Sequence, residues 1–239
     1  MTLLTFAILW VAAFLTATLS GILGMGGGMT LLAVMALLMP PAAVIPVHGA
    51  VQLASNATRT TLFWNQVHWP IVRVYAGLVA VGVGAATLVW EGDKMTWFRP
   101  VIGVMLLVYL GLRRWKPTLR NVPMWTYAPL GLVVGFLTVF VGATGPVIAP
   151  FFLRDELDKE QVIATKAVCQ TWTHLLKLPA FLALGFDFAP WLLPLASMVV
   201  AVVAGTAFGK WLLSRLSRER FEQLFIGLVV VLAMLLVGR

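Results

Sequence analysis

The sequence predicts an all-α, polytopic integral membrane protein, and two observations lead to this fold class: the composition and an internal repeat. Of the 239 residues, 61% are hydrophobic and 11% are charged, whereas soluble domains carry roughly 25% charged residues. These charges are too few to cover a surface that faces water, so lipid must surround most of the chain. Because lipid cannot satisfy free backbone groups, the long apolar runs are predicted to be helices.

The internal repeat emerges when the chain is aligned on itself. If Gly24 is placed on Gly142, then Gln52 falls on Gln170 without a gap. The same register pairs further glycine and polar positions: Gly27 with Gly145, His48 with Lys166, Asn56 with His174, and Arg59 with Lys177. The few polar positions inside apolar runs therefore coincide. This predicts two homologous membrane repeats, 1–118 and 119–239, within one membrane domain.

Each repeat is expected to hold four segments, the first of them broken or re-entrant at a glycine-rich motif. The predicted segments are 3–39, 44–64, 70–90 and 97–115 in the first half, then 124–153, 159–184, 190–213 and 220–238 in the second. Polar or proline-containing stretches separate them as loops: 40–41, 91–94 and 154–160. The stretch 113–123 is polar and contains proline, as expected of a linker between the halves.

The distribution of basic residues favours an inverted arrangement of the two halves. Lys and Arg concentrate in loops on the cytoplasmic side. Two stretches are rich in them: the linker, with Arg113, Arg114, Lys116 and Arg120, and the loop before the last segment, with Arg215, Arg218 and Arg220. Both stretches lie inside only if segment 124–153 enters and leaves on the same side. Each half then makes three net crossings and the halves are inverted; if that segment spans, they are parallel.

The stretch 24-GMGGGMTLL-32 places four glycines where a helix is expected, and 142-GATGP-146 is its counterpart in the second half. Glycines of this kind allow close helix packing. They also break helices, which a membrane protein tolerates only where the backbone is buried or lines a cavity. The density of glycines favours a functional break in each half, with Pro146 enforcing the second one. The helix N-termini at such breaks point partial positive charge at anions.

Two polar helices follow the breaks. Segment 44–64 carries His48, Gln52, Ser55, Asn56 and Arg59, and segment 159–184 carries Lys166, Gln170, Thr173, His174 and Lys177 at matching positions. At ~100° per residue each set covers one face of its helix. Polar groups inside a membrane are costly and are functional candidates by default. The two faces are therefore predicted to meet across an interior cavity.

The cavity is expected to bind an anion, because its predicted walls carry cations and amides without Asp or Glu. The substrate-binding candidates are Gly26, Gly27, Gly28, Gln52, Asn56, Gly145, Gln170 and His174. The candidates for coupling to protons or to the anion are His48, Lys166, Arg59 and Lys177. Arg59 and Lys177 are placed nearer a vestibule, and both have the alternative of snorkelling to lipid headgroups. For the histidines and glutamines, the alternative to a role at the anion site is hydrogen bonding between helices.

The chain resembles the sulfite exporter TauE/SafE family of membrane permeases. The resemblance is carried by 21-GILGMGGGMTLLAVMALLMPPAAVIPVHGAVQLASNATRTTLFWNQVHW-69 and recurs at 135-GFLTVFVGATGPVIAPFF-152 with the polar helix after it. It covers essentially the whole chain. It implies movement of small sulfur oxyanions and organic anions such as sulfite, sulfoacetate and thiosulfate. The second break reads GATGP instead of a full glycine cluster, so the halves need not contribute equally.

These observations favour a secondary transporter for a small anion in the cell membrane. An anion channel and an accessory membrane subunit are the alternatives. An enzyme is not expected, since the three His have no carboxylate cluster beside them. No cofactor or metal is expected either: Cys169 is the single cysteine and no Walker A motif follows the glycines. Nucleic-acid binding is not expected. The oligomeric state is left open, a homodimer being one arrangement.

Overall fold

The computed structural model describes residues 2–23, 26–90, 100–104, 107–108, 111, 122–152, 154, 156–213 and 230. Within these ranges all regular secondary structure is helical, which confirms the all-α prediction. Several expectations lie wholly or partly outside them: the segments 97–115 and 220–238, the loop 91–94, the linker 113–123 with the boundary at 118, and the arginines of the last loop. The internal repeat stays a prediction.

The helices that position the site follow the predicted segments closely. In chain order they are α1 Leu3–Leu23, α2 Gly27–Leu38, α3 Pro41–Leu62, α4 Trp69–Leu88, α5 Tyr127–Val141, α6 Gly145–Phe152, α7 Lys159–Ala183 and α8 Leu192–Leu213. Short 3-10 helices at Trp64–Gln66, Met124–Thr126 and Ala189–Trp191 precede α4, α5 and α8. Thus each predicted first segment consists of two helices.

Two of the predicted loops are shorter than expected, for reasons of helix capping. Pro41 opens α3 instead of lying in a loop, since proline suits the first turn, where its missing N–H is not needed. At α7, the Asp158 side chain accepts from the backbone N–H of Gln161, whose side chain accepts from the N–H of Asp158. This capping box satisfies two backbone N–H groups and begins α7 at Lys159.

Four helical stretches among the described residues are long and apolar enough to cross a membrane: Leu3–Ile22, Trp69–Leu88, Met124–Val141 and Ala189–Leu212. They expose large apolar side chains such as Leu3, Leu88 and Leu193, which are 85%, 87% and 76% exposed. Such side chains suit a lipid-facing surface. Helices α3 and α7 carry the polar residues instead, and most of those residues are buried.

Helices α3 and α7 pack against each other in the centre of the molecule, and two close helix pairs flank them. One pair is α1 with α8, and the other is α4 with α5. Glycines allow the close approach: Gly205 of α8 faces the carbonyl oxygen of Phe14, and Gly82 of α4 faces that of Leu132. A side chain at either glycine would collide with the partner backbone. Small residues at such crossings are typical of membrane helices.

Candidate functional site

Each of the two predicted breaks contains a glycine with positive φ. Helix α1 ends at Leu23, and Gly26 precedes α2 with a φ of 97°. Helix α5 ends at Val141, where Gly142 has a φ of 80°. Residues with a Cβ rarely adopt this conformation, so glycine is required at both positions. Pro146 is the second residue of α6, and its role in enforcing the break stays a prediction.

A buried cavity lies between the two breaks and the two polar helices. The space open to the centre of a water molecule is ≈ 30 Å³, more than the roughly 10–15 Å³ that one water needs. It is thus large enough for water or a small ion. Its lining residues are Ser20, Gly26, Gly28, Met29, His48, Gln52, Arg59, Ala143, Gly145, Lys166, Gln170 and His174.

The cavity brings together nine of the candidate residues that the sequence suggested. They are Gly26, Gly28, His48, Gln52, Arg59, Gly145, Lys166, Gln170 and His174. Three candidates are not part of its lining: Gly27, Asn56 and Lys177. The residues from α3 and α7 therefore meet as expected, whereas their role in binding stays a prediction.

In each half, a glycine of the helix after the break faces a glutamine of the polar helix. A Cβ at Gly28 would lie 3.0 Å from Oε1 of Gln52, and a Cβ at Gly145 would lie 4.0 Å from Nε2 of Gln170. The distance at Gly28 is shorter than van der Waals contact, whereas the distance at Gly145 is an ordinary van der Waals contact. The missing side chains leave both amides room beside the N-terminal turns of α2 and α6.

The cavity wall contains two histidines with available ring nitrogens. Nε2 of His48 lies 2.8 Å from the carbonyl oxygen of Gly28, so Nε2 donates its proton and α3 is tied to the first turn of α2. Nδ1 of His48 and Nδ1 of His174 are buried without a hydrogen-bond partner among the described residues. The ring centroids are 6.3 Å apart. The rings are in edge-to-face contact, and both belong to residues of the cavity lining whose Nδ1 atoms are not yet satisfied within the described part of the chain.

Arg59 is buried, with 4% of its surface exposed, so the snorkelling alternative is wrong for it. Its guanidinium is folded back along α3. Nε donates to the carbonyl oxygen of Ser55 at 3.2 Å, and Nη2 donates to Oγ of Ser55 at 3.0 Å. Lys166, from α7, lines the same cavity and is also buried. The two cations thus come from different helices, one from each polar helix.

The three candidates outside the lining have identifiable contacts. Gly27 packs against the backbone of Thr16 in α1. Asn56 donates from Nδ2 to the carbonyl oxygen of Gln52 at 2.8 Å. Lys177 is 0% exposed and donates from Nζ to the carbonyl oxygen of Gly142 at 3.2 Å. The vestibule and snorkelling interpretations of Lys177 are therefore wrong: it contacts the second break from inside the protein.

Sequence reasoning did not select three residues of the lining: Ser20, Met29 and Ala143. Each lies within a few residues of a glycine-rich stretch, and that position was the available signal. Ser55 was noticed on the polar face but not selected, although it fixes Arg59. The signal there was its spacing, because residues four apart on a helix are neighbours.

The donors of this cavity suit an anion better than a metal or a covalent reaction. Its described lining offers guanidinium, ammonium, amide and imidazole groups and no carboxylate or thiol. No group of three or more His, Cys, Asp or Glu able to hold a metal ion occurs among the described residues. Cys169 is buried and is not part of the lining. The cations and amides can donate hydrogen bonds to anionic oxygens.

Gly28→Ala is expected to fold and to raise KM for the transported anion several-fold. The new methyl group would meet the amide of Gln52 at 3.0 Å, and this flexible side chain can move away only by changing its position in the cavity. Gly145→Ala is the matched control, since its methyl group meets Gln170 at 4.0 Å and should change KM little. Transport assays on both variants test this. Equal KM values for the two variants would contradict the role given to Gln52.

Comparison with known proteins gives one family match. The model of the family described as sulfite exporter TauE/SafE matches residues 9–236. Among curated proteins and solved structures, none matches this chain significantly. The family match covers nearly the whole chain, including both breaks, both polar helices and all residues of the cavity. The protein therefore belongs to the sulfite exporter TauE/SafE family, a family of membrane transporters for sulfur anions.

Proposed function

We propose that this protein is a secondary transporter that moves a small sulfur oxyanion, or a related organosulfonate or carboxylate, through the cavity between the two breaks. The observation that carries the proposal is the chemistry of the cavity wall. Arg59 and Lys166 supply positive charge, and Gln52 and Gln170 supply amide N–H groups. The N-terminal turns of α2 and α6 add positive dipole ends. Membership of a family of sulfur-anion permeases supports the same substrate class.

The transport cycle that we propose is alternating access between two related halves. Helix packing supports this cycle, because the two halves make equivalent contacts with each other, so that each helix pair in one direction has a counterpart in the other. The first helix of the first half packs on the third segment of the second half, as α1 on α8. The first helix of the second half packs on the third segment of the first, as α5 on α4. A cavity at the interface of such repeats, near broken helices, is a common substrate site in secondary transporters.

The favoured direction is export across the cell membrane. A membrane potential that is negative inside favours outward movement of an anion by ~2.3 kcal/mol per charge and 100 mV. An anion channel stays the alternative, and a flux that saturates with anion concentration distinguishes the transporter from it. Membership of a family of transporters supports a transporter over an enzyme.

Electrogenic currents from proteoliposomes on a solid-supported membrane test this function. The purified protein is given sulfite, thiosulfate, sulfoacetate, acetate and chloride in turn, with and without a pH gradient. We expect a saturable current for at least one sulfur oxyanion and none for chloride. An unsaturable chloride current would identify a channel. No current and no radiotracer exchange for any sulfur anion would overturn the proposal in favour of an accessory subunit.

Gln52→Leu and Gln170→Leu are each expected to reduce transport at least about tenfold while the protein still folds. Each removes an amide donor from the anion, and a hydrogen bond to a charged group contributes about 1.5–3 kcal/mol. Gln66→Leu is the control, since Gln66 lies in a 3-10 helix outside the cavity. Initial rates of sulfite uptake and size-exclusion profiles measure the two effects. Normal transport by both cavity variants would show that the anion binds elsewhere.

A further inference from the structure

The guanidinium of Arg59 has two edges that can each bind a pair of oxygens, and Ser55 occupies one of them. The side-on edge consists of the N–H of Nε and the nearer N–H of Nη2. The carbonyl oxygen of Ser55 accepts from Nε at 3.2 Å, and Oγ of Ser55 accepts from Nη2 at 3.0 Å. A single residue therefore uses both donors of this edge. The orientation of the guanidinium plane relative to α3 is fixed as a result.

The end-on edge of Arg59 is left for another partner. It consists of one N–H of Nη1 and the second N–H of Nη2, which point in parallel away from the side chain. Within the described part of the chain, the hydrogen bonds of the Arg59 side chain use only the side-on edge, and Arg59 lines the cavity. Two parallel donors match two oxygens on one central atom, which is why Arg binds carboxylate and phosphate in a bidentate manner.

Ser55 is itself held in place, which makes the arrangement more rigid. It is 1% exposed, and its Oγ lies 3.4 Å from Oγ1 of Thr206 in α8. Thr206 is 0% exposed. Since Oγ of Ser55 accepts from Arg59, its own proton is available for Thr206. The geometry thus forms a sequence of contacts from α8 through Ser55 to the guanidinium in the cavity.

We propose that Ser55 is a positioning residue that presents the end-on edge of Arg59 to the cavity, and that this edge selects polyatomic oxyanions over halides. This inference rests on the anion site proposed above and specifies its selectivity. A sulfite, sulfonate, carboxylate or nitrate group offers two oxygens to the two N–H groups. A halide of the same charge offers one centre, so it gains the charge of Arg59 but not the matched pair of hydrogen bonds.

Nitrate and bromide are suitable probes, because both are small monovalent anions and only nitrate carries oxygens. Their dissociation constants are measured from the thermal stabilisation of the purified full-length protein at matched ionic strength. We expect the wild-type protein to bind nitrate at least about tenfold more tightly than bromide. Ser55→Ala should lose most of this preference by weakening nitrate binding alone, and Ser55→Thr, which keeps the hydroxyl group, should restore it.

Two further variants separate positioning from charge and from general packing. Arg59→Lys keeps the charge but has no fork of parallel donors, so it should bind nitrate and bromide equally. Thr58→Ala is the matched control: Thr58 also lies on α3, and its hydroxyl donates to a backbone carbonyl one turn earlier, that of Ala54, and not to the guanidinium of Arg59. It should retain the wild-type preference. If Ser55→Ala does not fold, Arg59→Lys still decides whether Arg59 selects oxyanions, and Ser55→Cys, whose thiol is only a weak acceptor, tests the positioning instead.

The outcomes distinguish this inference from the proposed function. Equal affinity of the wild-type protein for nitrate and bromide would overturn the inference, as would an unchanged preference in Arg59→Lys or in a folded Ser55→Ala. A protein that prefers nitrate through Arg59 but transports no sulfur oxyanion would retain the inference and lose the proposed function. A protein that binds neither nitrate nor any sulfur oxyanion would overturn both.

Discussion

Gly27→Ala is expected to prevent the accumulation of folded protein, although it adds a single methyl group. A Cβ at Gly27 would lie far closer than van der Waals contact to the Thr16 carbonyl oxygen and to Oγ of Ser20. The obstacle is the backbone of α1, which cannot move aside as a flexible side chain can. Helix α2 would have to separate from α1 at the first break. We expect a destabilisation at or above the upper end of the roughly 1–3 kcal/mol typical of overpacking.

The control for this prediction is Gly77→Ala in α4. Gly77 is also a helical glycine, but a Cβ there would meet nothing within 4 Å. Alanine should even stabilise the helix by about 0.5–1 kcal/mol relative to glycine. The yield of monodisperse protein after extraction in detergent, and its Tm, measure both effects. Wild-type yield and Tm for Gly27→Ala would show that the contact between α1 and α2 is not as close as described.

The glycine cluster shows what can be predicted from the sequence alone and what cannot. Its density predicts a break in the first segment, because no other residue type tolerates so many special backbone positions. It does not predict that the three described glycines of the cluster serve three different physical purposes. Gly26 has the positive φ, Gly27 packs on α1, and Gly28 leaves room for Gln52. These roles depend on helices that are distant in the sequence, so local patterns cannot assign them.

The polar helices show the same limit. A period of 3.6 residues places side chains around a helix axis, and this predicted that α3 and α7 direct their polar faces towards each other. How deeply each side chain is buried depends on the neighbouring helices, which this period does not describe. Lys177 was placed near a vestibule because it lies two turns beyond Gln170. It is buried because Gly49 of α3 leaves room for its aliphatic stem, with a Cβ at that position only 3.3 Å from Cε of Lys177.

Lys177→Met is expected to abolish transport while leaving the folded protein as stable as the wild type or more so. The lysine donates to the carbonyl oxygen of Gly142 at the C-terminal end of α5. A cation there compensates the negative end of the helix dipole and fixes the second break. Without it, we expect the start of α6 and Gly145 to lose their position relative to Gln170. Burying a charge is costly, however, so an apolar side chain of similar length need not reduce stability.

Lys210→Met is the matched control for Lys177→Met. Lys210 also donates from Nζ to the carbonyl oxygen at a helix end, that of Leu62 at 2.7 Å, but it is exposed and far from the cavity lining. Its replacement should leave the rate of sulfite transport nearly unchanged. Transport rates and Tm values of the two variants, measured in the same proteoliposome and detergent preparations, separate the two lysines.

Normal transport by Lys177→Met would mean that the second break keeps its geometry without a cation. Loss of folding would mean that the charge is needed for stability. The expected combination, intact folding with lost transport, is specific to a lysine that positions the anion site without binding the anion itself.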